Sequence, residues 1–452
     1  MGRCTVDSFS YHDWFRILLG VSAVGYVLLH RYIARPFTRP PVRLPAEFTY
    51  REVVDRLAHE VGANYPYLAD KGIDWPAARE EAARAARDIH DERELGLALN
   101  RLLGKLEDRH AVVVSPTILE EFGWHPGLLL RLIDGRVYVV GPLDGAPAEA
   151  RGPACGSEVL SVDGVDGWPV GRASANSLLG RPGPRPPETL LLLGRRDTTA
   201  ILRYRTPSGG EATCELARSL PALPVPSGAP SGRMLSDGIG YVELPLLLRA
   251  APRSLPPALA PRPVPNYTRS LSEAFKAVRR ARGLVIDLRG NPGGDLQTAV
   301  ITAARLLPDR RRVGWFVDRT GKRGLGLWFH GSSEAFLGPV AVLADGGTAS
   351  AAEILAHILR RTRQRTWVLG RPTAGAVGST TRIYRYRDLW AVFPGHAYVD
   401  PWGDRRLEGT GIVPDRVVAW TAEDLCRGKD PDLEEAVRLL TGEGDGSASD
   451  GS

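Results

Sequence analysis

The sequence is poor in lysine and in sulfur. Only five of the 58 basic residues are lysine, so the net charge of +6 comes almost entirely from arginine. That bias is typical of a protein from a GC-rich genome. No basic patch interleaved with aromatic residues accompanies it, so the composition does not indicate a nucleic-acid-binding protein. The four cysteines lack the spacing of a metal site or of a disulfide framework, and they are Cys4, Cys155, Cys214 and Cys426.

A hydrophobic run of full membrane-spanning length is also missing. Residues 17–30 are uncharged, but a transmembrane helix needs about 20 apolar residues. Aromatic residues and snorkelling arginines could extend this stretch to residues 14–34, which favours an uncleaved anchor. A signal peptide or a soluble amphipathic arm is the alternative, although Asp7 and Asp13 disturb the basic start that a signal peptide needs. We therefore expect residues 1–45 to form an anchor or signal segment with its linker.

The rest of the composition is that of a globular protein. Apolar residues make up 43% of the chain and charged residues 24%, and 452 residues can hold two to three domains. Residues 46–115 are predicted to be helical and residues 120–220 to be rich in strands. Residues 440–452, dominated by Gly, Ser and Asp, are predicted to be disordered. The apolar face of the last predicted helix is expected to lie in the core, and it comprises Leu95, Leu99, Leu102, Leu103 and Leu106.

One polar turn joins a buried strand to an amphipathic helix. Residues 339–344 are apolar and too few for a helix, which predicts a strand, and apolar residues recur at helical spacing over 354–359. Ser350 therefore stands at the start of the helix, beside unpaired N–H groups that can hold a developing oxyanion. With Glu353 it also fits a capping box. At this point Ser350 can be interpreted either as a nucleophile or as a structural helix cap.

Three further segments have a definite order relative to this turn. They are Leu106–His110, between a helix and a strand, Gly283–Gly294, a strand entering a glycine turn, and Glu408–Asp415. Together the four segments resemble the tail-specific or C-terminal-processing serine peptidases, and within them the tricorn-core and retinoid-binding-protein-like branch. The resemblance covers about residues 46–420, and the pairing of DLRGNPGG with GGTASAAE is its specific part.

Lysine distinguishes the branches of this family. Its best-known members activate the serine with a lysine downstream of it. Here the corresponding stretch, residues 370–378, has no lysine, and none lies between Ser350 and Lys429. Arginine cannot replace it, because a guanidinium does not lose its proton near neutral pH. The resemblance therefore implies the branch in which a histidine is the base and a glutamate orients it.

The resemblance implies a catalytic set of Ser350, His110 and Glu408. His110 ends the L-x-D-x-H segment where the family keeps its base, and an imidazole titrating at about 6.5 suits base chemistry at neutral pH. Glu408 precedes the G-x-G-x-x-P-D stretch and would hold the imidazole tautomer. Its structural alternative is an ion pair with Arg405 or Arg406.

Two neighbours of His110 have their own predictions. Arg109 stands where the family often has a small polar residue, and its role is open. Asp108 is expected to be a turn residue or a secondary support rather than the orienting acid.

The oxyanion hole follows from the same elements. The N–H of Ala351, directly after the nucleophile, is the first predicted donor. Gly293 or Gly294 is expected to supply the second, because a glycine turn lets the backbone approach the substrate closely. The same turn is also a good turn sequence without any function.

The strand-rich region has its own resemblance. Residues 156–164 resemble the hairpin of PDZ domains, which bind extended peptides by strand addition. We therefore predict an α/β protein with a crotonase-like (ClpP-like) catalytic core at residues 233–425. It also has an N-terminal helical region at 46–115 and a β-rich PDZ-like domain at 120–220.

The predicted function is hydrolysis of peptide bonds in proteins or peptides, without metal or cofactor. A catalytically silent peptide- or lipophile-binding protein on the same fold is the alternative, and a non-peptidase esterase a third. Family members usually work outside the cytoplasm, whereas the arginines after residue 30 favour the opposite topology. We expect a membrane-anchored, extracytoplasmic enzyme with its topology open, no nucleic-acid partner, and the possibility of oligomers.

Overall fold

The computed structural model describes residues 40–142, 152–166, 191–221, 228–249, 263–379 and 382–442. The predicted membrane segment, residues 14–34, lies outside this part of the chain, as does most of the predicted tail, residues 440–452. Within these ranges, no helix combines the length and the apolarity that crossing a membrane requires.

A six-stranded sheet, the central sheet, organises the C-terminal half. Adjacent strands within this sheet are parallel, except that the first two strands are antiparallel. The strand predicted at 339–344 is its fourth strand and is buried throughout, because helices cover both faces of the sheet. In spatial order the strands are Ser231–Met234, Ile239–Glu243, Gly283–Asp287, Val340–Ala344, Thr366–Gly370 and Arg416–Val417.

Alternation along the strands divides the core into two layers. Val340 and Val342 pack towards three helices, Tyr267–Ala277, Leu296–Ala303 and Ala351–Thr362. Ala341 and Leu343 point the other way and pack against the helix Pro431–Thr441. The predicted α/β class is confirmed. Because carboxyl ends of parallel strands share one edge of a sheet, the glycine turn and the turn before Ser350 lie together.

A second core forms in the N-terminal part. Its helices are Tyr50–Asn64, Trp75–Ala85 and Glu92–Gly104, and the predicted apolar face of the third is buried. A four-stranded sheet joins this part to the C-terminal half, in the order Val42–Arg43, Arg382–Tyr386, Leu389–Phe393 and Val112–Val114. His110 lies two residues before the last of these strands, so strand pairing brings the candidate base towards the C-terminal half.

The strand-rich region forms an antiparallel sheet with its own small core. In spatial order its strands are Leu128–Ile133, Arg136–Pro142, Glu158–Val162, Thr199–Arg205 and Glu211–Ala217. The short strand Val165–Asp166 pairs with Glu158–Val162 and forms a hairpin with it. The predicted strands and hairpin are present. Assignment of this sheet as a PDZ-like domain stays a prediction.

Shorter elements complete the described chain. A three-stranded sheet comprises Arg323–Phe329, Arg311–Val317 and Ala397–Val399, and Leu220–Pro221 pairs with Trp124–His125. The remaining helices are Pro116–Phe122, Leu407–Thr410 and Ala422–Cys426, with single 3₁₀ turns at Ala86–Asp88 and Ser236–Gly238.

Candidate active site

The backbone of Ser350 is strained. It precedes the helix Ala351–Thr362 with φ 56° and ψ −123°, a conformation that costs a residue with a Cβ about 1–3 kcal/mol. A serine that only caps a helix adopts an extended backbone. Ser115 does so, with φ −147°, and its hydroxyl accepts the N–H of Ile118 at 3.2 Å. A strained serine between a strand and a helix is instead the geometry of an exposed nucleophile.

Glu353 fixes the loop beside Ser350. Its buried carboxylate accepts the Thr373 hydroxyl at 2.6 Å and the N–H groups of Gly375 and Ala376 at 2.8 and 2.9 Å. It also accepts the N–H of Ser350 at 3.1 Å, which is the Glu353 half of the predicted capping box. Burial raises the pKa of this carboxyl, and these hydrogen bonds oppose the increase. The acid therefore holds the 373–376 loop against Ser350.

Gly293 brings the glycine turn against Ser350. Its φ is 91°, and a Cβ at this position would lie 2.7 Å from the Cβ of Ser350 and 2.8 Å from the nitrogen of Ala351. Only glycine tolerates both the φ and the contact. The N–H of Ala351 is the first of the helix and has no intrahelical acceptor. The glycine turn after the strand Gly283–Asp287 therefore lies beside the N–H of Ala351, and these are the two regions predicted to supply oxyanion donors.

The two glycines of the turn differ in what their backbones do. The N–H of Gly293 donates to Oδ1 of Asn291 at 2.8 Å, so the turn itself uses this donor. Gly294 has φ 137° and lies against the carbonyl of Leu247, 1.9 Å from where a Cβ would be. Gly293 therefore serves close packing against Ser350, while Gly294 is held by an isolated parallel β-bridge with Leu247.

Arg109 joins the segment of His110 to the turn that ends at Ser350. Its Nη1 donates to the carbonyl oxygen of Gly346 at 2.8 Å. Gly346 belongs to the polar turn that ends at Ser350. The bond therefore holds the segment of His110 beside the turn that carries the serine. This gives Arg109 a structural role that the sequence left open.

Asp108 supports His110 from the backbone side. Its Oδ1 accepts the backbone N–H of His110 at 2.8 Å and lies 3.7 Å from the ring nitrogen Nδ1, beyond hydrogen-bond range. Its Oδ2 accepts the hydroxyl of Tyr65 at 2.7 Å. Burial, followed by the charges of Asp108 and Glu408, raises the pKa of Tyr65 far above its ordinary value. Tyr65 is therefore a neutral donor.

Glu408 is buried and its contacts come from two elements. Oε2 accepts the N–H groups of Val377 and Gly378 at 2.9 and 3.0 Å, and Oε1 lies 3.0 Å from the ammonium of Lys71. An ion pair with Arg405 or Arg406 was the structural alternative. Arg405 instead pairs with Asp70, and Arg406 with Asp404. Glu408 thus faces the interior beside Ala376, whose carbonyl accepts the Ser350 N–H.

Lys71 lies between the two carboxylates near His110. Its ammonium is 3.0 Å from Glu408 and 3.9 Å from Asp108. It also donates to the carbonyl oxygens of Leu106 and Glu107 at 3.2 and 3.1 Å. Burial, and then the charge of Asp108, raises the pKa of Glu408 to about 8, while Lys71 lowers it. The ammonium is therefore the cation that favours the ionised form of Glu408.

Sequence reasoning did not assign roles to Lys71, Tyr65 or Glu353. Glu353 was visible as the second half of a capping box, but its loop contacts lie beyond any local pattern. Lys71 lies 337 residues from Glu408 in the chain, and no spacing rule connects such positions. Among the described residues, no group of three or more His, Cys, Asp or Glu side chains is arranged to hold a metal ion.

The chain was compared with known proteins. Residues 238–418 match the family model "Peptidase family S41". A putative tricorn protease homolog 2 of Streptomyces coelicolor is 27% identical over 86% of this chain, which spans only 32% of that longer protein. A carboxyl-terminal-processing protease of Synechocystis sp. is 27% identical and is matched over 81% of both chains.

Solved structures share the fold. Mature CPAF superposes with a TM-score of 0.66 at 15% identity, over 88% of this chain and 98% of that one. A photosystem II D1 C-terminal processing protease superposes with a TM-score of 0.53 at 22% identity, over 87% and 98%. The matched family region contains Ser350, Gly293 and Glu408, whereas His110 precedes it. The resemblance to the C-terminal-processing serine peptidases is confirmed, since residues 238–418 match the model of peptidase family S41 and relatives over most of the chain are processing proteases.

Proposed function

We propose that the chain is a serine peptidase that hydrolyses peptide bonds in protein or peptide substrates, with Ser350 as nucleophile, His110 as general base and Glu408 as orienting acid. The strained backbone of Ser350 is the observation that carries the proposal. A structural cap gives no reason for that strain, whereas a nucleophile exposed to substrate does. The Arg109–Gly346 bond supports His110 as its partner.

The proposed reaction is acyl transfer to water. The Ser350 oxygen attacks the peptide carbonyl while His110 accepts the hydroxyl proton. The N–H groups of Ala351 and Gly294 stabilise the oxyanion of the tetrahedral intermediate. His110 then returns the proton to the leaving amine, and the C–N bond breaks. Water, deprotonated by His110, attacks the acyl–Ser350 ester and releases the new carboxyl terminus.

Lys71 is not the base in this proposal. An ammonium has three N–H donors and a base must first lose one of them. Lys71 already donates to three acceptors within 3.2 Å, namely Leu106 O, Glu107 O and Glu408 Oε1. We assign it as a positioning residue that lowers the pKa of Glu408 and so favours its ionised form.

The test of function is active-site labelling of the full chain. A fluorophosphonate probe should label wild type at Ser350, as mapped by mass spectrometry, because only an activated serine attacks this phosphorus reagent. Ser115 is the matched control, since it also starts a helix but is extended and capping. Labelling at Ser115 or another serine would remove Ser350 as the nucleophile, and no labelling with an intact fold would support a silent binding protein instead.

Replacing Lys71 by methionine should lower kcat about tenfold and shift the rising limb of the pH–rate profile to higher pH by about one unit or more. Removing a cation raises the pKa of the nearby carboxyl. Glu408, whose pKa is already about 8, would then keep its proton to higher pH. KM should change little, since the effect acts on transition-state charge.

Three variants separate this effect from lost stability. Lys71→Arg keeps the charge and should recover part of the activity with the pH profile of wild type. Glu408→Gln should lose about tenfold in kcat above about pH 8, where wild-type Glu408 is ionised and the amide cannot be, and the loss should shrink at lower pH. Lys105→Met removes only a surface pair with Glu81 and should match wild type. An unshifted profile in Lys71→Met would remove Lys71 from this role, and a larger loss in Asp108→Asn than in Glu408→Gln would transfer the orienting role to Asp108.

A further inference from the structure

Two cysteines from distant parts of the chain meet where the β-rich sheet contacts the peptidase half. Cys155 immediately precedes Gly156 in the turn before the strand Glu158–Val162, and Cys426 ends the helix Ala422–Cys426. The thiol of Cys155 donates to the carbonyl of Leu425 at 3.2 Å. The thiol of Cys426 donates to the carbonyl of Cys155 itself at 3.3 Å. Each sulfur therefore lies against the backbone of the other segment.

The turn is shaped around the sulfur of Cys426. Gly156 has φ 81°, and a Cβ at this position would lie 2.1 Å from Sγ of Cys426. Any other residue at position 156 would displace the sulfur or the turn. Both the absence of a side chain at Gly156 and the thiol hydrogen bonds therefore keep the sulfur of Cys426 close to the turn.

The distances suit a covalent bond between the two sulfurs. A carbonyl oxygen lies about 2.4 Å from its own Cα by standard geometry, so Sγ of Cys426 is within about 6 Å of the Cα of Cys155. Disulfides join residues whose Cα atoms are usually about 4.4–6.8 Å apart. Because each sulfur already lies against the backbone of the other segment, rotation of the side chains and a backbone adjustment to that Cα separation would join the two sulfurs.

We propose that Cys155 and Cys426 are a dithiol modification site, which a small-molecule disulfide such as glutathione disulfide converts into an intramolecular disulfide linking the β-rich sheet to the peptidase half. Cys426 is exposed and Cys155 is half-buried, so the oxidant meets Cys426 first. This proposal does not depend on the roles of Ser350, His110 or Glu408.

The reaction proceeds by two exchanges. The thiolate of Cys426 attacks glutathione disulfide, forms a mixed disulfide and releases one glutathione thiolate. The thiolate of Cys155 then attacks Sγ of Cys426, forms the S–S bond of the protein and releases the second glutathione. The protein loses two hydrogens and two electrons, and glutathione disulfide is reduced to two thiols.

The experiment is oxidation of the folded, reduced full chain with glutathione disulfide, followed by alkylation and peptide mapping without reductant. Wild type should give one cross-linked peptide pair, Cys155–Cys426, as its main product. Cys155→Ser should instead retain the glutathione adduct on Cys426, and Cys426→Ser should leave Cys155 largely reduced. Cys214, half-buried in the strand Glu211–Ala217, is the internal control and should stay outside the cross-link.

Thermal unfolding gives a second readout. A cross-link that closes so long a loop should raise Tm of wild type by at least about 4 °C on oxidation, and neither serine variant should show the rise. Separate glutathione adducts on both cysteines, or a cross-link to another cysteine or between chains, would overturn the proposal. A Cys155–Cys426 cross-link without a rise in Tm would also overturn it, because such a link would not belong to the native structure.

Discussion

Replacement of Ser350 by alanine should lower kcat for peptide hydrolysis by about 10³-fold or more, because the nucleophile is lost while substrate binding remains. Steady-state kinetics on a peptide substrate, with KM measured separately, are the check. KM should change little. Ser115→Ala, which removes an ordinary helix cap, should keep wild-type kcat and lose about 1 kcal/mol of stability.

A second substitution at the same position separates function from strain. Ser350→Gly should be as inactive as Ser350→Ala but more stable by about 1 kcal/mol or more, because glycine adopts a positive φ without penalty. Denaturant unfolding of the two variants measures the difference. Wild-type turnover by either variant would return Ser350 to the role of a cap. Equal stability of the two variants would show that the backbone at Ser350 is relaxed.

Replacement of His110 by alanine should lower kcat/KM by about 10²–10⁴-fold, the usual contribution of a general base. Adding it to Ser350→Ala should cause little further loss, because nucleophile and base act as one unit. In wild type, activity should rise with pH between about 6 and 8, since the reaction requires a neutral imidazole and an ionised Glu408.

Two comparisons decide whether His110 is the base. His90→Ala, at an exposed histidine outside the site, should match wild type across the same pH range. Each of the five lysines should be replaced in turn, and Lys71→Met should be the lysine variant with the largest loss, though smaller than that of His110→Ala. A lysine variant that loses more than His110→Ala would assign the chain to the branch with a serine–lysine dyad.

Local patterns predicted the elements around the nucleophile well. The strand Val340–Ala344, the helix Ala351–Thr362 and the buried strand Gly283–Asp287 follow from short apolar runs and helical spacing. These features depend on neighbours in the sequence, which periodicity reports directly. The glycine turn was predicted to lie near Ser350 from the motifs of the resembling family, and the parallel pairing of the two strands explains the contact.

The environment of Glu408 was not accessible in this way. The sequence predicts either His110 or one of the adjacent arginines as the partner of its carboxylate. The cation beside it is instead Lys71, from the N-terminal part. Lys71 lies far upstream of Ser350, outside the stretch in which the family has its dyad lysine, so no local pattern points to it. Asp108 was placed more accurately, because an acid two residues before a backbone N–H commonly accepts it in a turn. Burial and long-range charge decide the rest, and a sequence displays neither.

The Arg109–Gly346 bond has a consequence for when the enzyme becomes active. It joins residues 237 positions apart, and the Lys71–Glu408 contact joins residues 337 apart. Contacts between such distant positions form late, because the entropy of closing a long loop must be overcome first. During synthesis, the candidate base emerges from the ribosome long before the serine, and the acid last. The growing chain therefore has no assembled active site to turn against its own unfolded segments or those of its neighbours.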